Sequence, residues 1–305
     1  MKRIYKFKAM TLAELEAKFP DEGACKSYLQ ARRWPEGVRC PRCKNEKVYE
    51  LAREFHWQCE NCAADGYRFS VLVGTIFENT NVKLPQWFKV IYLMLSSKKG
   101  ISALQVQRML GFGSYHTAWS ICHRIRVAMG KEHFRKLIGF VEVDETFVGG
   151  KAKNRHKDKR GGPGATGSSG GTGVHGKAIV IGAVQRKGKV VARVVANLDR
   201  ETLCGFVREM VSDKVSLIST DERRGYNGLK EQFPHGTVDH WNGEYVHGNV
   251  HTNTIEGFWS MVKRGVVGTF HKVSAKYLPL YVKEFEFRYN NRHNADIFGA
   301  AIKAC

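Results

Sequence analysis

Residues 139–151 read GFVEVDETFVGGK, a β-branched, apolar run that ends on the aspartate Asp144 before a Gly pair. Such a run, with its turn signal behind it, predicts a strand over Ile138 to Val143. The same signature recurs downstream. Ala178 to Gln185 and Lys189 to Ala196 read as two more strands joined at Gly188, and Val215 to Thr220 as a fourth, closed by Asp221 in VSLISTDERRGY. Between the third and fourth, Arg200 to Val211 has helical periodicity. A short helical piece near Leu229, a short strand near Val238 and long helices from about Thr254 and Ala275 follow. Three sequential strands and then alternating helix and strand predict an α/β mixed sheet with flanking helices.

A strand that delivers a carboxylate as its last residue places that group at the sheet's edge, where ligands of open α/β sheets bind. Asp144 and Asp221 are therefore candidate partners in holding a divalent cation, although strand-terminal Asp is also a common turn starter. A third acid comes from HTNTIEGFWSMVKRG, residues 251–265, where Glu256 stands 35 positions after Asp221. Lys263 lies seven residues further, two helical turns along one face, so a carboxylate and a cation point the same way. Asn253-x-x-Glu256 just before an apolar run also reads as a helix N-terminal capping pair.

Four of the eight cysteines are paired by spacing. Cys40-Pro-Arg-Cys43 and Cys59-Glu-Asn-Cys62 are two C-x2-C knuckles separated by fifteen residues, the spacing of a Zn²⁺ site. Two such turns bring four thiolates to one tetrahedral ion at about 2.3 Å each, a closed structural shell with no open position. Val48 to Leu51, Phe55 to Gln58 and Tyr67 to Val71 read as its strands, which is the layout of a zinc ribbon. Cys25, Cys122, Cys204 and Cys305 lack such spacing and are expected as buried small apolar residues.

Before the ribbon, Thr11-x-x-Glu14 is a capping-box signature for a short helix with Leu12, Leu15 and Phe19 on one side. After it, Pro85 opens a helix carrying Trp87, Ile91, Tyr92 and Leu95. Ser102 caps a helix with Leu104, Met109 and Leu110. Gly111-Phe-Gly113 breaks it, and Ala118, Ile121, Cys122, Ile125 and Met129 mark another. Two helices about a Gly turn suggest a helix-turn-helix, with His116, Trp119, His123, Arg124 and Arg126 placed to meet a groove or phosphates; an ordinary helical hairpin fits the same pattern.

The chain has 305 residues and a formal net charge of +20, with 43% hydrophobic residues. That share supports packed cores and excludes wholesale disorder, and the charge calls for a polyanionic partner. No apolar run approaches the roughly 20 residues of a membrane span, and MKRIYKFKAM at the start is not a signal-peptide core, so a soluble, non-exported protein is expected. Without a long basic amphipathic helix, nucleic acid is the better partner than a membrane surface. The stretch 151–176, KAKNRHKDKRGGPGATGSSGGTGVHG, reads as a mobile basic loop. It holds Gly171-x-Gly173-x-x-Gly176 and a near phosphate-loop match ending at Lys177. These glycines precede a strand instead of following one into a helix, so no nucleotide cofactor is expected.

VDETFVGGK, STDERRGY, HTNTIEGFWSMVKRG and the closing KEFEFRYNNR together resemble the blocks, in order, of bacterial insertion-sequence DDE transposases with an N-terminal zinc ribbon and an RNase H-like catalytic domain. The resemblance covers nearly the whole chain. It implies a helical lead-in over 1–35, the ribbon over 36–72, a helix-turn-helix-like DNA-binding unit over 73–135, the RNase H-like domain over 136–295 and a tail over 296–305. It implies an enzyme that cuts DNA at transposon ends and joins them to target DNA. Asp144, Asp221 and Glu256 are its implied Mg²⁺ or Mn²⁺ ligands, and Lys263 its contact to the transposon end. Members of this group also carry Asn three residues before the Glu, as Asn253 does here, and either residue counts as the last of the triad. Two ions about 3.5 to 4 Å apart serve such displacements, with Asp144 bridging and Asp221 and Glu256 completing one shell each. The implied partners are double-stranded DNA, as terminal inverted repeats and as target, and a homodimer or larger synaptic complex; the implied location is cytoplasmic, with the bacterial nucleoid. A non-catalytic DNA-binding regulator and a metal-dependent nuclease are the alternatives.

Overall fold

The computed structural model describes residues 10–305 except 63, 65, 132–133, 150–176 and 239–249. The basic stretch 151–176, with Lys151, Lys153, Arg155, Lys157, Lys159 and the glycines Gly171, Gly173 and Gly176, lies outside the described residues. The chain divides into two compact units, one of residues 1–132 and 291–305, the other of residues 133–290.

In the first unit, α1 (Leu12–Lys18) opens on the expected capping box. The Glu14 amide donates to Thr11 Oγ1 (3.2 Å) and the Thr11 amide to Glu14 Oε2 (2.7 Å). Leu15 and Phe19 are buried, while Leu12 is exposed. Helix α2 (Glu22–Arg33) leads to the ribbon, an antiparallel sheet of β1 (Val48–Glu50), β2 (His56–Cys59) and β3 (Arg68–Ser70). Its small core is aromatic: Trp57 pairs across the sheet with Phe69, ring centroids 5.9 Å apart, and Trp34 meets Trp57 edge-on at 5.6 Å. Three helices follow, α3 (Leu84–Ser96), α4 (Ala103–Leu110) and α5 (Tyr115–Met129). Ser102 and Ser114 cap the last two, and Gly111 ends α4 in the left-handed region at φ 68°, where a residue without Cβ is unstrained.

Two expectations for this unit are corrected. Of the polar groups assigned to a groove, His123 and Arg126 are buried and Arg124 donates to the Glu78 carbonyl (2.8 Å). Helix α5 packs against α3, α4 and the last helix of the chain, so it is enclosed on more sides than a helical stripe suggests, and His116 is the exposed member of the set. The stretch 296–305, expected as a tail, forms α9 (Ile297–Ala304). Asp296 caps it at the Gly299 amide (2.9 Å), and Phe298 joins Phe19 and Phe88 at 5.7 and 5.6 Å.

The second unit is a five-stranded mixed sheet in the order β6-β5-β4-β7-β8: β4 (Leu137–Val148), β5 (Ala178–Gln185), β6 (Val190–Val195), β7 (Val211–Asp221) and β8 (His235–Val238). The first three strands are antiparallel neighbours, and β7 and β8 run parallel to β4. Val141, Val143, Ile181, Ala183 and Ile218 pack on one face with α6 (Arg200–Met210). Val148, Val180, Val184, Val190 and Ala192 pack on the other with α7 (Asn253–Gly268) and α8 (Leu278–Asn290). The mixed sheet with flanking helices expected of an RNase H-like domain is present. No helix among the described residues is long and apolar enough to cross a membrane.

The strand bearing Asp144 is longer than its sequence suggests. Its apolar run predicts an end at Val143, yet Asp144 to Val148 stay paired with β5, Asp144 opposite Gly182 and Val148 opposite Ala178. Pairing with β7 stops at Glu142 opposite Ser219. Asp144 therefore marks the place where β4 parts from β7. Thr146 and Val148 remain buried and keep the strand ordered beyond the carboxylates.

Candidate functional site

The four ribbon thiols converge. Sγ atoms of Cys40, Cys43, Cys59 and Cys62 lie within 4.8 Å of one another, with Cys43 and Cys59 at 3.5 Å. The first knuckle is shaped by its backbone: the Cys40 amide donates to Asn45 O and the Lys44 amide to Cys40 O, both at 2.9 Å, with Lys44 in the left-handed region at φ 63°. Burial and the neighbouring sulfurs push the Cys62 thiol up to about 12, whereas the Asn45 amide pulls Cys43 down to about 7. Four soft sulfurs gathered this closely fit a structural Zn²⁺, which replaces the thiol protons with one shared cation. Cys25, Cys122, Cys204 and Cys305 are buried, as expected.

The second cluster is acidic. Carboxylate oxygens of Asp144, Glu145 and Asp221 lie within 4.8 Å of one another. Register explains the first and last of these. Glu142 and Ser219 are the final β4–β7 pair, and two residues on along each strand the period of two returns Asp144 and Asp221 to the same face. Burial pushes the Asp144 carboxyl up to about 7, with the charges of Glu145, Asp221 and Glu256 adding to it. Glu145 is also raised, by burial and by Asp221, against the opposing pull of Arg223 and Tyr226. Arg223 Nε pairs with Glu145 Oε1, Tyr226 Oη donates to Glu145 Oε2 (2.8 Å), and the Arg223 amide donates to Asp221 Oδ1 (3.2 Å). The hard oxygens and crowded negative charge of this set fit a hard divalent cation, whose charge relieves the repulsion.

Glu256 stands apart from that cluster. It is exposed in the first turn of α7, where its Oε1 accepts from Thr252 Oγ1 (2.8 Å). Asn253 is exposed at the first helical position, and Lys263 is exposed two turns after Glu256. The capping pair read at Asn253 and Glu256 is not formed. The residue ahead of the helix is Thr252, without a side-chain bond to a helix amide, and the amides of Thr254 and Ile255 donate instead to Glu142 Oε2 at 2.7 and 3.0 Å. Helix α7 also lies unusually close to the sheet. A Cβ on Gly182 would stand 2.7 Å from the Trp259 ring, so glycine opposite Asp144 is what admits the helix.

Glu142, Glu145, Arg223 and Tyr226 were absent from the sequence-based set. A signal existed for the first: a carboxylate two residues before Asp144 falls on the same strand face. Glu145 points the other way in a regular strand, and nothing local reveals that it joins the group.

A ribbon closed by four thiols and a mixed sheet whose crevice gathers three carboxylates define a zinc-ribbon protein with an acidic, metal-type site. Residues 136–290 match the ISXO2-like transposase domain, and residues 20–65 match the transposase zinc-ribbon domain. The chain belongs to the ISXO2-like transposase family. It is 29% identical over 282 residues to an uncharacterized protein in transposable element ISH50 of Halobacterium salinarum, covering 88% of this chain and 91% of that one. An uncharacterized transposase-like protein of Haemophilus influenzae is 33% identical over 106 residues, which span 34% of this chain and 84% of the relative.

Proposed function

We propose that this transposase-family protein cleaves DNA at the ends of its element and joins those ends to target DNA, in a reaction dependent on Mg²⁺ or Mn²⁺. The observation that carries the reading is the convergence of Asp144 and Asp221 where β4 and β7 part, next to a helix that bears Glu256. Asp144, Asp221 and Glu256 hold the metal through hard carboxylate oxygens. The bound metal supplies activation of a hydroxyl nucleophile and stabilisation of the leaving oxygen.

The chain's own groups prepare that chemistry. Arg223 and Tyr226 occupy the two oxygens of Glu145, which leaves Asp144 and Asp221 as the acids facing the crevice. Glu256 is exposed, with its Oε1 on Thr252 Oγ1, and its charge acts on Asp144, which supports it as the acid that would join the pair. Asn253 offers only a neutral carbonyl, and Glu256 is assigned as the third ligand on that ground. Lys263 projects from the same face of α7 about 10 Å along its axis, where an ammonium orients the terminal phosphate. Ribbon and α4–α5 unit recognise the terminal inverted repeats, and the net charge of +20 supplies sequence-independent affinity for the duplex. Holding two ends requires a homodimer or larger assembly.

A labelled donor end incubated with the protein and Mg²⁺ tests the reading. Cut ends together with products joined to target DNA are expected. Cutting without joining would make the protein a nuclease, and binding without either product would make it a DNA-binding regulator.

A further inference from the structure

Glu142 has no exposed surface, although it is a carboxylate in the middle of β4, between Val141 and Val143. Its Oε1 accepts from Arg186 Nε (2.7 Å) and Thr254 Oγ1 (2.8 Å), and its Oε2 from the amides of Thr254 (2.7 Å) and Ile255 (3.0 Å). His251 Nδ1 lies 3.1 Å from Oε1, and Arg186 Nη2 donates to the His251 carbonyl (3.1 Å). The first amides of a helix need acceptors from outside it, and a Ser, Asn or Asp at the cap position usually provides one at little cost. Here the acceptor comes from 112 positions earlier in the chain, as a charge taken wholly out of water. A buried carboxylate is an expensive cap, because its desolvation is offset only when every oxygen is well bonded. A local cap would end the helix equally well; a cap from β4 also fixes where α7 starts relative to β4.

That relation is what the acidic site needs. Asp144 is two residues beyond Glu142 on the same face of β4, and Glu256 follows the capped amides by one residue. We propose that Glu142 is a positioning residue of the metal site, locking the helix that carries Glu256 onto the strand that carries Asp144, and that Arg186 holds Glu142 for that task. The inference rests on the reading of Asp144, Asp221 and Glu256 as metal ligands. Glutamine at this position turns one acceptor oxygen into a donor facing either the guanidinium and hydroxyl or the two amides, so one side of the lock must open. Arg186→Met leaves the carboxylate and the helix sequence intact and removes the support, together with the bond to the His251 carbonyl.

Binding of Mn²⁺ to the full-length, zinc-loaded protein, followed by electron paramagnetic resonance, tests this without DNA chemistry. The component abolished by Asp144→Asn reports the acidic site. Glu142→Gln is expected to weaken that component about 10- to 100-fold, the range for partners one step removed from a metal; Arg186→Met should weaken it by less, and DNA binding without divalent metal should match wild type in both. Thermal melting establishes that each variant is folded at the temperature of the titration, and should Glu142→Gln fail to fold, Arg186→Met decides. Wild-type Mn²⁺ affinity in folded variants with lowered melting temperatures would make Glu142 a structural cap only and overturn the proposal. Absence of any Asp144-dependent Mn²⁺ signal in the wild type is a different failure, which removes the metal-site reading and this inference with it.

Discussion

Asp144 and Asp221 come from strands 77 positions apart in the chain, yet they bring carboxylate oxygens within 4.8 Å of each other. Two parallel strands in register do this by separating just after Glu142 and Ser219, so the next residue of each on that face borders the gap. Without a cation the arrangement is repulsive. That repulsion, the metal that offsets it and the elements that hold the acids in place each have measurable consequences.

The first concerns pH. Asp144 has its folded pKa raised from 3.8 to about 7. Between those values the folded protein keeps a proton that the unfolded chain has released, so the stabilising contribution is complete below about 4 and is lost as pH rises through 7. Melting temperature in buffer without added divalent metal is expected to fall over that window, and Asp144→Asn should flatten that part of the fall. At pH 8 the variant should be the more stable protein, by an amount on the order of a few kcal/mol. A variant melting at or below wild type at pH 8 would show that Asp144 is not held under repulsion.

Removal of zinc should act on one unit only. Because the thiols of Cys40, Cys43, Cys59 and Cys62 surround a single point, losing the ion or substituting Cys40→Ser and Cys43→Ser together is expected to unfold the ribbon. Recognition of the element's ends should fail, while circular dichroism of the mixed-sheet unit persists. Normal end binding by the double variant would detach the ribbon from recognition.

Salt dependence reports the basic stretch 151–159. Neutralising Lys151, Lys153, Arg155, Lys157 and Lys159 together should make the fall of DNA affinity with salt shallower, by roughly 0.9 in logarithmic slope for each phosphate left without its cation. An unchanged slope would mean that these five side chains do not touch DNA.

Gly182→Ala tests the close approach of α7. The added methyl meets the Trp259 ring at 2.7 Å, and the ring is held between helix and sheet. A loss of about 1 to 3 kcal/mol is expected, as for overpacking elsewhere, visible as a lowered melting temperature together with weakened Mn²⁺ binding at Asp144. An unaffected melting temperature would show that the helix has room to shift.

Much of this architecture was legible because it is local. The knuckles Cys40-x-x-Cys43 and Cys59-x-x-Cys62 fix a tetrahedral site by spacing alone, and the Thr11 and Glu14 capping box lies within four residues. Strand content around Asp144 and Asp221 followed from β-branched runs. What escaped depended on distant partners. Glu142 is explained by distant partners such as Arg186, 44 positions away, and Thr254, 112 positions away. The same acid takes the first-turn amides of Thr254 and Ile255, at the helix start where a local pair of Asn253 and Glu256 was expected to cap. Helix α9 has eight residues, too short to stand alone, and forms against the Phe19 and Phe88 rings. His123 and Arg126 looked exposed for the opposite reason: their helix reads as one-sided in sequence and is enclosed in the fold.

The third ligand is decided by a pair of variants. Glu256→Gln keeps the Thr252 contact and leaves the α7 amides on Glu142, so its melting temperature should match wild type while cleavage and joining nearly vanish. Asn253→Asp should be milder. An active Glu256→Gln enzyme would transfer the assignment to Asn253.

The central claim is that the acids of β4 and β7 perform DNA cleavage, and the cleavage rate of a labelled element end with Mg²⁺, for wild type against Asp144→Asn and Asp221→Asn, tests it most directly. Each substitution preserves size and removes the charge that holds the cation. The account predicts metal-dependent cleavage by the wild type, a loss of several orders of magnitude in both variants, and end binding retained by all three proteins. Cleavage at the wild-type rate by either variant would contradict it.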